Sequence, residues 1–139
     1  MEFNKIIAVT GKPGLYKVIS QSKSAIIAES LIDKKRLAIN AAQNVSLLEN
    51  IAIYTYEEEV LLLDVFKKIA EKTNGESAIS HKESAKNLES FFLEVLPDYD
   101  EDRVYTSNIK KVVQWFNILI KAGIDFSKIE SSQENTEEV

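Results

Sequence analysis

The stretch IAIYTYEEEVLLLDVF, residues 51–66, holds the change of pattern that decides the fold. Upstream of Tyr56, from Ile6 onward, apolar residues come in runs of two to four broken by turn residues, which is the grammar of β-strands. From Glu57 to Ala122 they recur every three or four residues over long stretches, the grammar of amphipathic helices. A β unit followed by a helical unit argues against an alternating β-α fold with a parallel sheet. The expected class is α+β: a small N-terminal SH3-like β-barrel of about five strands, followed by three α-helices.

Working outward from residue 56, five strands are expected at 6–10, 15–20, 25–32, 36–40 and 51–56. Between them lie a GKPG turn at 11–14, a polar hairpin loop at 21–24 and a turn at 33–35. Residues 41–50 read ambiguously, with Asn44 a candidate cap for one short helical turn through Leu48. Short strands, tight loops and a helical turn before the last strand suit a small closed or nearly closed barrel of SH3-like layout, and closure would remove the exposed edges of such apolar strands.

On the helical side, Thr55 and Glu58 have the spacing of a capping box, and Glu57, Glu58 and Glu59 suit a first turn, so a first helix is expected from 57 to Asn74-Gly75. A second is expected from a Ser80–Glu83 box, with Ala85, Leu88, Phe92, Val95 and Leu96 on one face, until Pro97 stops it. A third, capped by Thr106 or Ser107, runs to Ala122, with Gly123 at its end. The expected division is 1–73 for the β-barrel unit plus first helix, 74–126 for a helical unit, and 127–139 for a disordered acidic tail.

Composition narrows the function classes. The chain has 139 residues, 45% of them hydrophobic, enough to bury a real core. It has no cysteine, which removes disulfides, thiolate metal sites and a cysteine nucleophile. The opening MEFNKIIAVTGKPG is not a signal peptide, and an apolar run such as 60–63 is far too short to span a bilayer, so a cytoplasmic protein is expected. Net charge is −5, unevenly spread: residues 1–56 carry seven bases and four acids, the remainder ten bases and eighteen acids. A dedicated nucleic-acid domain usually shows a concentrated basic face and a pI above ~9, and this excess is small.

No catalytic constellation is visible, and an enzyme is not expected. Gly11-Lys12-Pro13-Gly14 lacks the spacing of a phosphate loop, is followed by a strand, and includes a proline with no amide hydrogen, so it reads as a turn. Asp98, Asp100 and Asp102 have the spacing of a calcium loop, but Arg103 replaces its glycine and Ile109 its bidentate glutamate. The motif reads as an acidic connector. His81, the single histidine, falls in the first turn of the expected second helix with no cysteine and no second histidine to share a metal, and reads as a surface residue. No metal or cofactor is expected.

Two aromatic groups remain as candidate binding residues. Trp115 sits on the shoulder of the third helix and, with Tyr105, forms either an exposed patch that marks a partner or part of the packing. Tyr54 and Tyr56 share a face of the last strand, which is either core or a platform. Tyr16 and the bases Lys34, Lys35 and Arg36 fall on the same β unit, and aromatics among bases suit proline-rich peptides or single-stranded nucleic acid.

The stretches IIAVTGKPGLYKVISQSKSAIIAESL and IAIYTYEEEVLLLDVF resemble an uncharacterised bacterial family known as a domain of unknown function. The resemblance covers the β unit and the first helix, with a helical part attached, and implies no activity, substrate or site. The expected function is a non-enzymatic protein- or peptide-interaction module, the alternative being a weak nucleic-acid binder that uses the basic β unit.

Overall fold

The structure, a computed structural model, describes residues 3–9, 14–40 and 44–126. The chain divides into two compact units, Met1–Ile51 and Ala52–Val139. This boundary falls before the first helix rather than after residue 73 as the sequence suggested. The GKPG turn, except Gly14, and the tail at 127–139 lie outside the described residues.

Unit one is an antiparallel sheet of β1 (Ile6–Val9), β2 (Tyr16–Gln21), β3 (Ala25–Ser30), β4 (Arg36–Asn40) and β5 (Val45–Leu47), with short 3-10 turns at Phe3–Lys5 and Leu48–Asn50. The order is β4-β3-β2-β1-β5, a meander whose fifth strand returns to the far side of the first. Period-two alternation places Ile7, Val9, Tyr16, Ala28 and Ile39 in one buried cluster, with Val18, Ile26, Leu37 and Val45 packed against it. Register fixes this face, since Ile7 lies opposite Tyr16, Val9 opposite Val45, and Ile26 opposite Ile39. A bulge between Val18 and Ser20 adds local bend to β2.

Full closure of the expected barrel is not seen among the described residues. Among the described residues β4 and β5 are the two edges of an open sheet. Residues 45–47, within the stretch that read ambiguously, supply the fifth strand, and the stretch expected to close the barrel pairs within unit two instead.

Unit two opens with a hairpin of β6 (Ala52–Tyr54) and β7 (Glu59–Leu61). Thr55 and Glu58 do interact. The Thr55 hydroxyl accepts from the Glu58 amide at 2.9 Å and donates to the Glu58 carbonyl, but this closes the hairpin turn rather than starting a helix. Helix α1 (Leu62–Thr73) therefore begins five residues later than Glu57, once the Ala52–Leu61 pair ends the ladder. It buries Leu62, Leu63, Val65, Phe66 and Ile69 and ends at Asn74, left-handed at φ 58°.

Helix α2 (Ala85–Val95) is capped by Ser84, which accepts from the Asn87 amide at 3.2 Å, rather than by a Ser80–Glu83 box. Ser80 instead closes a preceding turn through the Glu83 and Lys82 amides, and half-buried His81 sits in that turn and not in the helix. Helix α3 (Thr106–Lys121) starts after Tyr105, whose amide donates to the Asn108 side chain at 2.9 Å, and buries Ile109, Val112, Val113, Phe116 and Leu119. Phe66, Phe116 and Phe126 pack ring against ring with centroids 5.5–6.0 Å apart. Burying each such side chain contributes on the order of 2 kcal/mol. Among the described residues no helix is long and apolar enough to cross a membrane.

Candidate aromatic binding surface

The face is built by alternation along β6 and its continuation. Thr55, 3% exposed, points into the unit, so Tyr54 and Tyr56 on either side of it point out, 40% and 60% exposed. A segment from the connector between α2 and α3 runs alongside. The Tyr54 carbonyl accepts from the Asp100 amide at 2.9 Å, the Tyr56 amide donates to the Asp98 carbonyl at 3.0 Å, and Thr55 and Tyr99 form an antiparallel bridge. Tyr99 anchors the segment: its ring is buried and meets Phe92 edge-on at 5.0 Å. Burial pushes the Tyr99 phenol above its ordinary range, and the Glu101 carboxylate adds to that.

Two further contacts fix the rings. The Tyr56 hydroxyl accepts from the Glu101 amide at 3.4 Å. The Arg103 guanidinium lies over Tyr54, 4.6 Å from the ring centroid, and its Nε donates to Asp100 Oδ2 at 2.8 Å. Asp100 Oδ1 also accepts from the Asp102 amide at 3.0 Å. The Arg103 hydrogen bond holds the Asp100 carboxyl below the ordinary carboxylate range, and Asp100 in turn holds the guanidinium above its ordinary value. With both oxygens engaged by its own loop, Asp100 works as the centre of a folded connector. Among the described residues no group of three or more His, Cys, Asp or Glu side chains could hold a metal ion.

The other residues singled out from the sequence fall elsewhere. Tyr105 is 63% exposed at the start of α3, and Trp115 is half-buried. Ten residues along a helix separate them by about 15 Å, so they do not make one patch. Lys34, Lys35 and Arg36 are exposed at the β3–β4 turn of unit one, where Lys34 has φ 64° and Arg36 Nε lies 3.4 Å from Glu29. The tyrosines belong to unit two, so no single β unit carries both groups. Tyr16 is core, 7% exposed. Sequence reasoning missed Arg103 and Glu101. The i,i+3 spacing of Asp100 and Arg103 was a legible signal for their pair, but nothing local pointed to Tyr54.

A concavity of about 980 Å³, away from the tyrosine face, opens between the C-terminal ends of α1 and α3 and is lined by Lys67, Glu71, Asn74, Asp125 and Phe126 among others. Its described lining includes no histidine, serine or threonine.

Comparison with known proteins gives two family matches. Residues 3–48 match the domain of unknown function DUF5606, and residues 51–119 match the domain of unknown function DUF6852. The seam between the two matches, at residues 49–50, lies next to the boundary between the structural units at Ile51 and Ala52. A solution NMR structure of a structural-genomics target from Bacteroides vulgatus is 42% identical, covers 94% of this chain and 96% of its own, and superposes with a TM-score of 0.76. No curated protein matches the chain.

Proposed function

The chain, which matches these two domains of unknown function, belongs to the family of that Bacteroides vulgatus protein, and on that premise we propose that it is a non-enzymatic interaction module that binds a protein or peptide through the Tyr54–Tyr56 face. The observation that carries this reading is the exposure of two neighbouring tyrosines on a frame already fixed by backbone hydrogen bonds. Rings held this way offer contact area with little ordering cost on binding, which is what anchor residues at interfaces supply. The test is a pull-down from native lysate, with and without nuclease and at low and high salt, repeated with a Tyr54→Ser/Tyr56→Ser variant. A protein partner retained through nuclease and lost in the variant supports the reading. A partner kept by the variant and lost in Trp115→Ala would move the surface to α3.

The alternative reading is weak nucleic-acid binding, favoured by the exposed Lys34, Lys35 and Arg36 at one turn of unit one. It requires affinity that falls steeply with salt as phosphate contacts release counterions. Unit one is read as SH3-like in order, with four of the strand pairings such a barrel needs and the β4–β5 seam left open. A cytoplasmic setting is part of the same reading and is consistent with a sequence free of cysteine.

A further inference from the structure

We propose that the partner segment taken by the Tyr54–Tyr56 face is basic: an extended run of a protein partner carrying Lys or Arg at alternate positions. This rests on the reading of that face as the binding surface and adds the chemistry of what it binds. Three observations converge. The first is contact chemistry: Tyr54 already carries a guanidinium on its ring, supplied by Arg103. Tyr56, more exposed and on the same side, has its hydroxyl tied back to the Glu101 amide. A cation over a tyrosine face is attracted by the ring quadrupole, and Arg103 displays that mode within the molecule.

The second is spacing. Tyr54 and Tyr56 are two residues apart on an extended backbone, about 6.5–7 Å, the repeat at which an extended peptide presents every second side chain. The third is charge. The hairpin contributes exposed Glu57 and Glu58 from its turn and exposed Glu59 from the start of β7, and the segment hydrogen-bonded beside it contributes exposed Asp98, Glu101 and Asp102. The cation the face holds, Arg103, is already paired with Asp100. The rim of the aromatic pair is therefore negative. It attracts a basic segment at long range and repels an acidic peptide or a phosphate backbone.

The test uses the full chain and three labelled peptides of one length, alternating Ser with Arg, Gln or Glu, read by fluorescence anisotropy. The Arg peptide is expected to bind, more weakly as salt rises, and the Gln and Glu peptides to give no saturable signal. Tyr56→Ala is expected to weaken the Arg peptide roughly two- to five-fold. Glu57→Lys/Glu101→Lys is expected to weaken it by about tenfold or more at low salt. Amide shift mapping on the unaltered chain provides a readout independent of variant folding, and perturbations should centre on Tyr54, Tyr56, Glu101 and Arg103.

Absence of Arg-peptide binding, or binding that neither variant changes, overturns the proposal. If the Arg peptide fails while the tyrosine double variant still loses its lysate partner, the surface stands and its basic specificity falls. If the lysate partner also survives the double variant, the surface reading itself fails. Concentration-dependent self-association abolished by both Tyr56→Ala and Lys34→Glu would assign the face to a second copy of the chain and overturn the partner proposed.

Discussion

Arg103 sits with its guanidinium 4.6 Å from the centre of the Tyr54 ring while its Nε donates to Asp100 at 2.8 Å. One side chain thus ties the connector between α2 and α3 to the outer face of β6. Asp100 closes the same arrangement from the backbone side, donating its amide to the Tyr54 carbonyl. Ring, cation and carboxylate form one unit, and the presentation of Tyr54 depends on all three.

This arrangement makes the face sensitive to acid. Asp100 titrates below its ordinary value of 3.8 when folded, mainly because Arg103 hydrogen-bonds it. A depressed folded value stabilises the native state above the unfolded value and loses that contribution as pH falls through the folded one. The melting temperature of the natural chain should exceed that of Asp100→Asn at neutral pH, and the gap should narrow once pH drops below 3.8. A gap that stays constant down to strongly acid pH would show that the carboxylate charge is not what holds the connector.

Asn117 fastens the loop between α1 and α2. From the middle of α3 its Oδ1 accepts from the Ala78 amide at 2.7 Å and its Nδ2 donates to the Ile79 carbonyl at 3.1 Å. Asn117→Ala leaves two half-buried backbone groups to find other partners and should cost about 1–3 kcal/mol in denaturant unfolding. Hydrogen exchange should rise at Ala78 in particular.

Thr73 points the other way. Its hydroxyl is buried at the end of α1 with no hydrogen-bond partner. Valine has nearly the same shape without the polar atom, so Thr73→Val should raise stability by about 1 kcal/mol in the same measurement. A loss of stability would mean that the hydroxyl is satisfied in solution.

Gly14 has φ 81°, and a Cβ there would fall 2.7 Å from Ile32 Cδ1. Gly14→Ala should cost about 1–2 kcal/mol from the left-handed backbone alone, plus whatever Ile32 cannot relieve by moving. In the Ile32→Ala background only the backbone part should remain, so the two substitutions should couple in a double-mutant cycle.

The residues that misled are instructive. Thr55-x-x-Glu58 satisfies the pattern of a helix cap and also that of a hairpin turn closed by a threonine hydroxyl. The choice fell to the pairing of Ala52 with Leu61, a contact that neither residue announces. The run at 60–63 serves strand or helix equally well, and here it is divided between β7 and α1. Val45–Leu47 is too short to show a period, and its partner β1 lies far back in the chain. On the candidate face, alternation alone set Tyr54 and Tyr56 on one side. Their exposure, and the arrival of Arg103 and Glu101 beside them, depended on contacts across the unit.

The sequence by itself determined the α+β class, the β-before-helix order and the existence of three helices. These follow from short-range periodicity, which every residue shares with neighbours three or four positions away. Tertiary structure alone decided where the β unit ends, that β4 and β5 stand as the edges of its sheet among the described residues, and that the tyrosines stand on an acidic rim with a guanidinium on one ring. Those outcomes turn on which distant segment meets which strand edge, and pairing between distant segments leaves no period in the chain.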